Sequence, residues 1–188
     1  MNVINTHIAH RPIRFAALAA TTLAALTACG SDEPADGASG DVASGEIAVR
    51  AIDYAYLDLP DQIRAGSTFT LSNASEKEVH EFVAIKLPDD ETRSAAELVQ
   101  LPPEELGAFM PGVRTVVIAP PAAEEGMAVV GDGTLSEPGR YLIVCVIPTG
   151  ADPAEYLEKA ATSDGPPDVA GGPPHIAEGM FGEVTVVD

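Results

Sequence analysis

Seven or eight short apolar runs, each closed by turn residues, constrain this chain more than any other feature. In the run that opens at Glu46, Ile47, Val49 and Ala51 alternate with Ala48, Arg50 and Ile52, the period of a strand with one face turned inward. Phe69 and Leu71 alternate in the same way within residues 67–73. A polar turn covers 73–78, and the strand over 79–87 is stopped by Pro88. Further runs at 54–57, 113–119, 127–131, 141–147 and 182–187 are separated by Leu59 to Gly66, Pro120-Pro121, Gly131-Asp132-Gly133 and Glu137-Pro138-Gly139, all read as turns. Helix is marginal. Ser94-Ala95-Ala96-Glu97 is a capping box, and Leu98, Leu101, Leu106 and Phe109 follow at helical spacing across Pro102-Pro103, which predicts two short helical turns between 89 and 112. The pattern as a whole predicts an all-β protein, an antiparallel sandwich or barrel with short helical insertions. Met110 and Met127 are read as core.

The first residues do not belong to that pattern. Arg11 and Arg14 precede an Ala/Leu-rich run from Phe15 to Leu26, and no acidic residue occurs before Asp32. The run is too short to span a bilayer comfortably. It ends in Leu26-Thr27-Ala28-Cys29-Gly30, which resembles the lipobox of bacterial lipoproteins, so 1–28 is expected to be a signal peptide and Cys29 the lipidated residue. Residues 29–45, rich in Ser, Asp, Ala and Gly, are expected to be a flexible tether, and 46–188 a single domain. The expected location is extracytoplasmic, anchored to the bacterial cell membrane through Cys29.

With 29 acidic against 10 basic residues and a formal net charge of -19, the chain is ill suited to nucleic acid or to electrostatic binding of anionic lipid. Its membrane contact is therefore expected to be the lipid alone, and a protein partner with a basic docking surface, or simply a need for solubility, fits the charge equally well. Cysteine usage is equally informative. If Cys29 is lipidated, Cys145 has no partner for a disulfide in an oxidising compartment, so burial, dimerisation or a metal must account for it.

Of four histidines, His7 and His10 fall in the leader, leaving His80 and His175. Cys145 lies near the end of the 141–147 strand. His175 and Met180 lie in Pro174-His175-Ile176-Ala177-Glu178-Gly179-Met180, just before the closing strand. Two imidazoles, a thiolate and a weak thioether are the set that holds a blue-copper centre. Each residue alone has a plainer reading: a strand histidine, a buried thiol, a loop histidine, a core methionine.

Three features in combination resemble the cupredoxin family. They are Asn73 in a turn ahead of His80, Gly139-Arg140-Tyr141 leading into the strand that carries Cys145, and a His-x-x-x-Gly-Met motif at His175 to Met180. The resemblance implies a Greek-key β-sandwich of seven to eight strands, one type 1 copper, and His80, Cys145, His175 and Met180 as its ligands. It departs from the family in one respect. Cys145 and the second histidine ordinarily share one tight loop, whereas here residues 149–174 form an insert between them. Asp152-Pro153-Ala154-Glu155 marks a helix start in that insert, with Tyr156, Leu157 and Ala160 as its apolar face. Glu81, next to His80, is expected to be solvated on the opposite face of its strand.

The leading functional expectation is an electron-transfer protein with a redox partner and no catalytic residues. Copper storage, delivery or sensing through the same ligands, and a metal-free interaction module, are the alternatives. No Gly-x-Ser-x-Gly, phosphate-binding glycine loop or His-Glu-x-x-His is present, and the shortage of histidines excludes a multicopper oxidase.

Overall fold

The computed structural model describes residues 42–163 and 165–188, so the leader, Cys29 and most of the tether lie outside the described residues. Among the described residues, ten strands form two sheets. One sheet has the order β2-β1-β4-β8, built from β1 (Glu46–Ile52), β2 (Ala55–Leu57), β4 (Ser67–Asn73) and β8 (Thr134–Leu135). The other has the order β3-β10-β9-β5-β6-β7, from β3 (Gln62–Arg64), β5 (His80–Lys86), β6 (Val113–Ala119), β7 (Met127–Val130), β9 (Gly139–Val144) and β10 (Phe181–Val187). The sandwich implied by the resemblance is therefore present.

Its detail differs from the sequence pattern in two ways. The count exceeds seven or eight because β3 lies in a segment read as a turn and β8 in the few residues between two turns; each is too short to show a period. The sheets are also mixed rather than antiparallel, since β1 runs parallel to β4 and β3 parallel to β10. Parallel neighbours need a crossover, which joins strands distant in the chain and leaves no local signature.

The main core lies between the sheets: Ile47, Val49, Phe69 and Leu71 face Phe82, Ala84, Ile143, Val184 and Val186. A second core covers the outer face of the larger sheet, where Val83, Ile85, Leu142 and Val144 pack under Ala95 and Leu98 of helix α1 (Ala95–Leu98). Leu106 and Phe109, from α2 (Pro103–Gly107) and the turn after it, border that second core. The capping box is formed: Ser94 Oγ accepts from the Glu97 amide at 3.4 Å, and the Ser94 amide donates to Glu97 Oε2 at 2.8 Å. Strands β5 and β9 are thus covered on both faces, which is why β5 reads as an unbroken apolar run after His80 and Glu81 instead of alternating. Edge strand β7 is the opposite case. Met127 is 63% exposed there, so it is not the core residue the sequence suggested.

Candidate metal centre

His80 is the first residue of β5, paired with Ala119 at the end of β6. The approach to it is fixed by Asn73. Its amide Nδ2 lies 2.8 to 3.0 Å from the carbonyls of Glu78, Ala119 and Pro120, and its Oδ1 accepts from the Ser75 amide at 2.9 Å. One side chain thereby ties the turn before β5 to the end of β6.

Cys145 is the residue after β9. Its amide donates to the Met180 carbonyl at 3.2 Å and its carbonyl accepts from the Ile176 amide at 2.8 Å. The 3-10 turn His175–Glu178 is held in the same way, by donation from the His175 amide to the Ile147 carbonyl at 2.9 Å and from the Met180 amide to the His175 carbonyl at 3.0 Å. Gly179 leaves that turn at φ 110°, a left-handed conformation glycine adopts without strain.

These elements bring three predicted ligands together. His80 Nδ1 lies 3.2 Å from His175 Nδ1, and Cys145 Sγ lies 3.3 Å from the same nitrogen. One donor atom from each residue falls within 4.8 Å of the others, and all three side chains are fully buried. Met180 is also fully buried and belongs to the main core, with its backbone bonded to both Cys145 and His175.

The insert returns to the site through a pinched neck. Pro148 bridges Pro174, the Thr149 amide donates to the Pro173 carbonyl at 3.0 Å, and the Gly172 amide donates to the Thr149 carbonyl at 2.8 Å. Within the insert, α3 (Pro153–Ala160) is capped by Asp152, whose Oδ1 accepts from the Glu155 amide at 2.9 Å. Two carboxylates beside His80 hold this segment. Glu78 accepts from the Gly150 amide at 3.0 and 3.2 Å. Glu81 accepts from the Val146 amide and from the Tyr156 hydroxyl, each at 3.0 Å.

Glu81 corrects the sequence reading: it is 4% exposed, not solvated. Its place inside a run of strand residues buried on both faces was the signal available, since a charge at such a position needs partners. Burial raises its carboxyl above the usual range, opposed by the bonds from Val146 and Tyr156.

The electrostatics of the three donors follow from burial. Desolvation, then the neighbouring His175, lowers His80 to about 4, so its ring is neutral at ordinary pH. Desolvation lowers His175 as well, against the opposing Glu78 carboxylate. The Cys145 thiol is pushed up by burial and then by Glu81, so without a positive charge in the centre it keeps its proton. With Nδ1 turned inward, each neutral ring can offer a metal the lone pair of that nitrogen when its proton sits on Nε2. Both Nε2 atoms are buried without a hydrogen bond, and His175 Nε2 lies 3.4 Å from Glu78 Oε2. Inward lone pairs, a soft sulfur and a water-excluding shell fit a copper ion, and a bound cation would lower the thiol as it displaced the proton.

The outer side of His175 is covered. Tyr54 packs edge-on against its ring with centroids 5.1 Å apart, from a backbone at φ 63°, unusual for a residue other than glycine. Tyr54 and Glu78 in turn line a surface cavity of about 390 Å³ shared with Asp53, Ser75, Glu76 and Lys77.

No family model matches the chain, and no curated protein matches it. Among solved structures it is similar to dithionite-reduced auracyanin from the photosynthetic bacterium Roseiflexus castenholzii, at 22% identity and a TM-score of 0.44 over 78% of this chain and 99% of that one. It is also similar to auracyanin A, a blue copper protein from Chloroflexus aurantiacus, at 17% identity and a TM-score of 0.38 over 76% of this chain and 100% of the other. Auracyanin B follows at 18% identity and 0.32, covering 77% and 89%. Likeness this remote carries no residue correspondence; the convergence of His80, Cys145 and His175 stands on the chain's own geometry.

Proposed function

We propose that this chain is an electron-transfer protein that holds one type 1 copper between His80 Nδ1, Cys145 Sγ and His175 Nδ1, with Met180 as a weak axial ligand. The observation that carries the reading is the meeting of those three donor atoms within 4.8 Å in a fully buried pocket. Copper bound there would supply a one-electron couple, with the soft sulfur favouring Cu(I) and the imidazoles suiting both oxidation states. The chain supplies rigidity. His80 and Cys145 are set by adjacent strands, His175 and Met180 by the 3-10 turn, and the sandwich resists rearrangement when the charge of the centre changes.

Full burial of the three donors favours retention of the metal over delivery, because an exchanging ligand would need a route through the neck or past Tyr54. In this reading the protein is displayed outside the cytoplasm on lipidated Cys29, and its acidic surface meets a redox partner with a basic docking surface. Tyr54 and Glu78, which both contact the His175 ring and line the cavity beside it, are the cover such a partner would meet.

Visible absorption of the purified chain during titration with Cu(II) tests the reading. An intense thiolate-to-copper band saturating at one equivalent, bleached reversibly by one-electron reduction and lost in Cys145→Ser, is the expected result. Absence of the band together with no Cu(I) uptake in an anaerobic competition would overturn it. A band whose copper passes to a chelator within seconds would move the assignment from electron transfer to copper delivery.

A further inference from the structure

The β5–β9 ladder runs through Val83 opposite Val144 and then stops, because β9 ends there. Continued by two residues, the same register brings Glu81 opposite Val146. In that place the Glu81 side chain, not its backbone, takes the Val146 amide, at 3.0 Å. The carboxylate thus adds a rung to the ladder while letting the two backbones diverge on either side of Cys145. Its second oxygen accepts from the Tyr156 hydroxyl at 3.0 Å, and Tyr156 is 2% exposed on α3 of the insert. The backbone of Glu81 is held too, since the Tyr56 hydroxyl donates to its carbonyl. One residue therefore joins the strand of the first histidine, the chain just past the cysteine, and the helix that interrupts the cysteine and second-histidine segment.

We propose that Glu81 and Tyr156 are positioning residues of the metal centre, and that α3 is part of the scaffold that fixes Cys145 relative to His80. This rests on the copper reading for its purpose, but the clamp itself is a property of the metal-free chain. A carboxylate withdrawn from water on all sides is strongly unfavourable unless its lone pairs are used, and here both oxygens accept from donors in segments that need registering. An insert tethered only at its neck would leave the second Glu81 oxygen buried without a partner, and the Glu81 clamp on the Val146 amide less firmly held.

The test uses the purified chain carrying Cys29→Ser, so that Cys145 is its sole thiol. Tyr156→Phe removes one hydroxyl and keeps the ring. Tyr141→Phe is the control, since Tyr141 is equally buried and its hydroxyl donates to the Glu137 carbonyl at 2.8 Å at the far end of β9. In the metal-free protein, the rate at which Ellman's reagent modifies Cys145 under native conditions reads how often the cover opens. Loss of a hydrogen bond to a charged acceptor predicts a rise of about tenfold or more for Tyr156→Phe over Tyr141→Phe. Glu81→Gln, which keeps an acceptor for Val146 and a polar partner for Tyr156, should lie between wild type and Tyr156→Phe. With Cu(II) added, Tyr156→Phe should shift the thiolate-to-copper band while Tyr141→Phe leaves it in place. Equal labelling rates in the two tyrosine variants would overturn the clamp whether or not copper binds. Lack of a copper band in wild type, with the labelling difference intact, would remove the copper reading and leave the clamp standing.

Discussion

The two proposed ligands on strands and the two on the returning loop are fixed by different means. His80 and Cys145 sit at the ends of adjacent central strands, β5 and β9, whose ladder and double-sided burial set them as a by-product of folding the sandwich. His175 and Met180 follow the long insert and are set by a few specific bonds: the Pro148–Pro174 neck, the amides of His175 and Ile176 on the Ile147 and Cys145 carbonyls, and the carboxylates of Glu78 and Glu81. A short loop is therefore not the only way to hold a second histidine rigidly. Closing a long loop costs only logarithmically more than closing a short one, so pinching its base suffices.

The contrast predicts that damage to the strands is global and damage to the neck local. Ile143→Ala, in β9 at the centre of the main core, is expected to lower unfolding free energy by about 2–5 kcal/mol in chemical denaturation and to weaken copper binding only through unfolding. Copper affinity lost at denaturant concentrations where the chain is still folded would break the contrast. At the neck, a Cβ on Gly171 would lie 2.5 Å from Pro148 Cβ and 2.9 Å from the Thr149 carbonyl oxygen. Gly171→Ala is thus expected to cost about 1–3 kcal/mol of overpacking. Calorimetric titration should show copper affinity falling by about tenfold or more in a chain that keeps its fold.

Acid separates the two histidines. His80 is lowered to about 4, mainly by burial, whereas an unfolded histidine takes its proton near 6.5. Between those values the unfolded state binds more protons, so the metal-free protein should lose stability as pH falls from about 6.5 to about 4. His175 has Glu78 beside it favouring the charged form. His80→Gln should therefore flatten the acid slope of the thermal midpoint more than His175→Gln. The smallest effect belongs to the insert's own helix. Asp152→Ala removes the cap of α3 and should cost about 1 kcal/mol, read as faster amide hydrogen exchange confined to α3.

The same division governs what the sequence made legible. Ser67–Asn73 and Val113–Ala119 are predicted to the residue, because their turns are marked by Asn73, Pro120 and Pro121. The caps at Ser94 and Asp152 are local hydrogen-bonding chemistry and are also visible in the chain. Cys145, His80 and His175 could be picked out because the thiol and imidazole inventory is so small. The partner that meets the buried Glu81 could not, since Tyr156 arrives from 75 residues away. Nor could Tyr54 over His175, which requires a left-handed backbone that Asp53-Tyr54 does not advertise. The exposure of Met127 follows from β7 being the edge of its sheet, a fact of strand order and not of hydropathy.

The most direct test of the central claim is a crystal structure of the copper-loaded chain with anomalous data collected at the copper edge. The account predicts one anomalous peak per chain, bonded to His80 Nδ1, Cys145 Sγ and His175 Nδ1, with Met180 Sδ as a longer fourth contact. A peak on surface carboxylates, or at the outward Nε2 of either histidine with Cys145 uncoordinated, would contradict it.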